Sequence, residues 1–231
     1  MAYEIVLLDN GPVSRAAEEF TENQENFPDT RVLRIVETFN HARLNNLGAN
    51  LSDREFLLFL NNDMIVGKSS WLRLMAGECR ADEKVGAVGC KLLYLNKTVQ
   101  HAGVVLGAGG VADHAFRGIG GDAPGYVMRA QVARRVSAVA AACMLVRRQA
   151  FAEVDLCVKR GMAGWKTLYA AEAVAEHREG CSRGHDFAEP KRDRFMREST
   201  VMRRRHALPL ADGLFYNLRF SARAAPIGSC A

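Results

Sequence analysis

Apolar residues in this chain fall into short runs that stop at turn residues, separated by stretches with helical spacing. Tyr3 to Leu8 (YEIVLL) is an apolar run that ends at Asp9-Asn10-Gly11, as a buried parallel strand ends. Ser14 to Phe20 reads as a helix capped by Ser14, and Arg31 to Val36 as a second strand. His41 to Leu51 reads as a helix. Glu55 to Leu60 (EFLLFL) is a third, strongly apolar strand that stops at Asn61-Asn62-Asp63. Ser69 or Ser70 then caps an amphipathic helix on which Trp71, Leu74, Met75 and Cys79 share a face. Strands alternating with helices imply a parallel sheet with crossovers, and such sheets bind ligands beyond the carboxyl ends of their strands. Asp9 and Asp63 both stand at such ends.

The second half is less regular. Val85 to Leu95 and Thr98 to Leu106 read as strands joined by Asn96-Lys97, and the seven glycines from Gly107 to Gly125 predict a mobile loop. Arg135 to Val146 reads as a strand, Phe151 to Arg160 as a helix, and Trp165 to Tyr169 and Ala173 to His177 as two short strands. Asp186 to His206 reads as a helix with Pro190 in its first turn.

Composition narrows the class. With 48% hydrophobic and 25% charged residues over 231 positions, the chain is neither disordered nor fibrous and has the size of one domain. MAYEIVLLDNG has no basic leader, and the weakly polar run Ser137 to Val146 is about half as long as a spanning helix needs. The expected setting is therefore cytoplasmic. Six cysteines without a CxxC pair suit neither a zinc knuckle nor a disulfide scaffold, and they read as reduced core thiols. The net charge of +5 comes from residues 155–231, which hold 14 basic and 9 acidic side chains. Lys191 to Arg205 is either a solvated helix face or a surface that attracts a phosphate-bearing acceptor or anionic lipid headgroups at the inner face of the membrane. Nucleic acid is not expected, because no aromatic-interleaved basic patch accompanies the charge.

Several segments, taken together, carry a family resemblance: EIVLLDNG; FNHARLNNLGANLSDREFLLFLNNDMIV followed by WL; VGAVGCKLLYLNKTVQHAGVVLG; SAVAAACMLVRRQAF; and DLCVKRGMAGWKTLYAAEAVAEHREGCSRGHD. The chain resembles family-2 glycosyltransferases, especially the bacterial rhamnosyltransferase-like branch that assembles cell-surface polysaccharides. The resemblance implies a GT-A fold, an α/β architecture with a mixed, mostly parallel twisted sheet flanked by helices. It implies a single domain over 1–231, with a nucleotide-sugar-binding half at 1–106, an acceptor and catalytic half at 107–187, and a basic tail at 188–231. The expected reaction moves a sugar from a nucleoside-diphosphate donor to a hydroxyl of a saccharide or lipid-linked acceptor, metal-assisted and inverting.

Residue roles follow from the same resemblance. Asn61-Asn62-Asp63 occupies the place of the family's DxD motif, so Asp63 is expected to hold Mn²⁺ or Mg²⁺; otherwise it only caps its turn. His177 matches a family histidine that completes the metal shell or touches the diphosphate, the alternative being a structural hydrogen-bonder. Asp9 matches the carboxylate that binds the nucleotide base, with Asn10 beside it, and Asn46 lies on the helix bordering that pocket. Arg183 would meet a phosphate, while His101 and Gly103 in QHAG read as a structural hairpin. Two departures stand out. The match begins at what is the second strand in relatives, and FAEV runs straight into DLCVKR where relatives carry an acceptor-facing segment. Glu153 or Asp155 is left as the general base. The departures also keep open a remnant that binds without turnover. The uncovered strand edge suggests a homodimer.

Overall fold

The computed structural model describes residues 2–11, 14–108, 112–153 and 163–178, together with single helical positions at 197, 200 and 204. Two compact units divide at Arg54 and Glu55.

The first unit is a strand–helix–strand–helix run. β1 (Ile5–Asp9) pairs in parallel with β2 (Thr30–Arg34), in a register that sets Asp9 opposite Arg34. The crossover is α1 (Arg15–Gln24), whose cap Ser14 accepts a hydrogen bond from the amide of Ala17 at 3.3 Å. α2 (His41–Asn50) starts at Asn40, which accepts from the amide of Arg43 at 3.1 Å. It packs on β1 so closely that a Cβ at Gly48 would stand 3.1 Å from a Leu8 methyl. The carboxylate of Glu4 accepts from the buried hydroxyl of Ser52, tying the start of β1 to the chain beyond α2. That hydrogen bond, helped by Arg31 and Arg54, holds Glu4 below the usual carboxylate range.

The second unit is built on a seven-stranded sheet. Its strands are β3 (Phe56–Leu60), β4 (Met64–Val66), β5 (Val85–Leu93), β6 (Val99–His101), β9 (Arg134–Arg135), β10 (Cys143–Arg147) and β11 (Lys166–His177). The main order is β3-β10-β5-β11-β4, with β6 beside β5 and β9 beside β11. β5 and β11 run parallel, as β1 and β2 do; β10 enters between β3 and β5 in the reverse sense, and β4 returns antiparallel on β11. The result is a mixed sheet in which the two expected short strands near the end of the chain are one strand, β11. A register shift between Ala170 and Val174 lets Glu172 stay exposed without ending it.

Period-two alternation sorts the side chains. Cys143 and Leu145 of β10, with Val88, Cys90 and Leu92 of β5, face α3 (Trp71–Ala81), which brings down Met75, Ala76 and Cys79. Met144 and Val146 line the opposite core with Ala87, Val136, Val139 and Tyr169. Each Val, Leu or Met side chain fully buried in these cores contributes about 1.5–3 kcal/mol. Gly89 exists for this packing: a Cβ there would meet Cβ of Val139 at 2.4 Å. Cys79, Cys90 and Cys143 are buried free thiols, as expected, and burial pushes the Cys79 thiol up to about 12.

The glycine-rich stretch carries more structure than its composition suggests. β7 (Val104–Leu106) pairs with β8 (Ala112–His114), and Phe116 is part of the core. The long strand expected over Thr98 to Leu106 breaks at Gly103, whose φ of +95° lets the chain turn. Likewise Arg135 to Val146 is two strands, β9 and β10, with an irregular link that carries Val139 onto Gly89. α4 (Arg148–Glu153) follows, and the remainder of the expected helix to Arg160 lies outside the described residues.

Candidate functional site

Strand register assembles the site in the second unit. β3 stops at Leu60, and the amide of Asn61 still reaches the carbonyl of Ala142 at 2.9 Å. Asn62 and Asp63 then form a turn into β4. Because β4 pairs antiparallel with the end of β11, His177 sits opposite Met64, and the amide of Arg178 donates to the carbonyl of Asp63 at 3.0 Å. Two residues 114 positions apart are thus set side by side by backbone pairing alone.

Their side chains meet. Oδ1 of Asp63 is 3.0 Å from Nε2 of His177, and the two side chains are only 14% and 11% exposed. The distance suits an ion pair, but the direction is not that of a hydrogen bond, and Oδ1 accepts none although it is shut off from solvent. On its other side, Nδ1 of His177 lies 2.9 Å from Oε1 of Gln100. Next along β11, Glu176 is ion-paired to Lys97. Among the described residues no set of three His, Cys, Asp or Glu side chains converges as a metal cage; Asp63 and His177 are a pair.

The neighbouring histidine plays a different part. Nε2 of His101 accepts from the amides of Gly103 at 3.3 Å and Ala140 at 3.2 Å, and its ring stacks edge-on against His114 at 4.7 Å. Burial first, then the charges of His114, Arg134 and Arg117, hold His101 well below the ordinary histidine value. The ring is a neutral brace for β6, the hairpin role expected from sequence.

The other expected residues are distributed as follows. Asp9 closes β1, and its Oδ1 accepts from the amide of Gly11 at 3.1 Å. Asn10 donates to the carbonyls of Ile35 and Glu37 at 3.0 and 2.8 Å, which sews the end of β1 to the chain after β2. Asn46 is exposed on α2, Asn61 is half-buried and Asn62 exposed. Glu153 ends α4, but its side chain, like Asp155 and Arg183, lies outside the described residues. Gln100 was not singled out by sequence reasoning, although it stands within QHAG, the segment that was.

Comparison with known proteins gives a consistent picture. The model of glycosyl transferase family 2 matches residues 1–154. Protein y4gI of Sinorhizobium fredii is 36% identical over 219 residues, which is 88% of this chain and 24% of that protein. The O-antigen biosynthesis protein RfbC of Myxococcus xanthus is 34% identical over 201 residues, 80% of this chain and 16% of that one. This chain therefore spans a quarter or less of the length of those relatives. Among solved structures, GalNAc-T7 with UDP, GalNAc and Mn²⁺ superposes with a TM-score of 0.60 at 14% identity, over 90% of this chain and 46% of that one. The mannosyltransferase of Pyrobaculum calidifontis with GDP-Man and Mn²⁺ gives 0.58 at 14% identity, over 87% and 55%. The shared fold is the GT-A fold. Among the described residues no helix is long and apolar enough to cross a membrane.

Proposed function

The chain belongs to glycosyl transferase family 2, and from that premise we propose that it transfers a sugar from a nucleoside-diphosphate donor to a hydroxyl of a saccharide or lipid-linked saccharide, with inversion at the anomeric carbon. One observation supports this above the others. Asp63 and His177 meet at strand ends, 3.0 Å apart, with a buried carboxylate oxygen that accepts no hydrogen bond. Leaving such an oxygen without a partner costs on the order of 1–3 kcal/mol. A divalent cation held by Oδ1 of Asp63 and Nε2 of His177 would offset that cost. Carboxylate and imidazole suit Mn²⁺ or Mg²⁺ where phosphate and water complete the shell. Bound there, the cation supplies a Lewis acid that steadies the departing diphosphate.

The remaining roles belong to this chain's own groups. Asp9 binds the nucleotide base, and Asn46, Asn61 and Asn62 line the donor. Asn10 contributes by holding the Asp9 turn, since its amide donors are engaged by backbone carbonyls. Glu153 or Asp155 takes the proton of the acceptor hydroxyl, for which it must come within hydrogen-bond reach of that oxygen. The basic stretch from Lys191 to Arg205 contacts an anionic lipid surface.

Donor hydrolysis and sugar transfer, measured with Mn²⁺ for the native protein and for Asp63→Ala, test the reading. Metal-dependent turnover that disappears in the variant is the expected result. A folded protein that binds donors yet turns none over would leave a family-2 domain that binds without catalysis, and would end the transferase proposal.

A further inference from the structure

The QHAG segment sets a second polar side chain against the site. Gln100 lies in β6 and is 2% exposed, and its Oε1 stands 2.9 Å from Nδ1 of His177. A neutral imidazole has one N–H and one lone pair, and the partner of one nitrogen decides what the other can do. An amide oxygen can only accept. The contact therefore places the proton on Nδ1 and leaves Nε2, 3.0 Å from Oδ1 of Asp63, with its lone pair free for a ligand bond. That tautomer offers Asp63 no N–H. It is the tautomer that a metal ligand requires.

We propose that Gln100 is a positioning residue for the cation site: through Nδ1 of His177 it fixes the ring's tautomer and orientation, so that Nε2 and the Asp63 carboxylate converge on one divalent cation. This rests on the cation reading given above. Backbone architecture puts Gln100 where the role needs it. β6 pairs with β5 at Leu92↔His101 and Leu93↔Val99, so two steps along β6 match one step along β5 and Gln100 is the extra residue of a bulge. Bulges re-aim side chains next to functional sites. The bulge is held on several sides. The carbonyl of Gln100 lies 2.9 Å from Nδ1 of His114, the amide of Val99 donates to Ile119 at 2.8 Å, and the His101 brace follows directly.

Two measurements separate this role from plain core packing. Long-range ¹H–¹⁵N correlation on histidine-labelled, metal-free protein should show His177 as the Nδ1–H tautomer; the Nε2–H tautomer would overturn the proposal without any variant. Mn²⁺ affinity, followed by electron paramagnetic resonance in the presence of UDP, should weaken about tenfold or more in Gln100→Leu. In Gln100→Glu, which keeps an acceptor oxygen on Nδ1, it should return to within about threefold of the native value. Native affinity in the leucine variant would sink the idea, as would equal loss in both variants. Asp63→Ala serves as the control: if it binds Mn²⁺ as the native protein does, the cation reading falls and takes this role with it. If only the glutamine variants behave unexpectedly, that reading stands and this role alone is lost.

Discussion

Acidification reaches the site through His101, which braces β6 just after Gln100. Nε2 of His101 accepts two backbone amides, at 3.3 Å from Gly103 and 3.2 Å from Ala140. A proton placed on Nε2 would face both donors, inside a core that also holds Arg134 and His114 nearby. The folded value therefore lies well below the ordinary histidine value, whereas the unfolded chain titrates near about 6.5. Below that pH the unfolded state binds one more proton than the folded state, so stability is fully present above it and is lost as pH falls. While the folded ring stays neutral the loss approaches about 1.4 kcal/mol per pH unit below the unfolded value, which sets a ceiling of about 2 kcal/mol between pH 7 and pH 5. Urea unfolding at several pH values, compared between the native protein and His101→Asn, isolates the contribution. The native protein should lose more than the variant over that interval, by up to about 2 kcal/mol. In the native protein the His101 ring should also show no titration shift in NMR down to pH 5. Parallel losses in the two proteins, or a ring that titrates near its ordinary value, would refute the buried neutral brace.

Other substitutions probe the frame around the site. Gly89→Ala drives a methyl onto Cβ of Val139, 2.4 Å away, so the link before β10 must move. Urea unfolding should register a loss of about 1–3 kcal/mol. Asn10→Ala removes two hydrogen bonds that hold the chain after β2 to the end of β1. It should destabilise the first unit by about 1–2 kcal/mol, seen as faster amide exchange around Leu33 to Glu37, and exchange unchanged there would contradict the assignment.

How much of this was legible in the sequence depends on the range of the interaction. Apolar runs bounded by turn residues located β1, β3 and α3 to within a residue or two, and Ser14 was visible as a cap because capping is local. The pairing of Asp63 with His177 was implied by the family resemblance, and its physical cause, the register of β4 on β11, is not written in either segment alone. Asn10 shows the limit most clearly. Its partners lie 25 and 27 positions away, so nothing in the Asp-Asn-Gly turn itself shows that its side-chain amide is engaged across strands. Gln100 was missed for a related reason: a bulge depends on the partner strand, and β6 taken alone reads as plain alternation. Seven glycines suggested loose chain between Gly107 and Gly125, yet Phe116 and β8 order part of it. The breaks at Gly103 and between β9 and β10 follow from core packing that local propensity does not encode.

The site stands or falls on whether a cation couples Asp63 to a diphosphate. Titration calorimetry of UDP, with and without Mn²⁺, on the native protein and on Asp63→Ala addresses this directly. Mn²⁺ should tighten UDP binding by about tenfold or more in the native protein, and the gain should vanish in the variant. UDP affinity that ignores both the metal and the loss of this carboxylate would contradict the assignment.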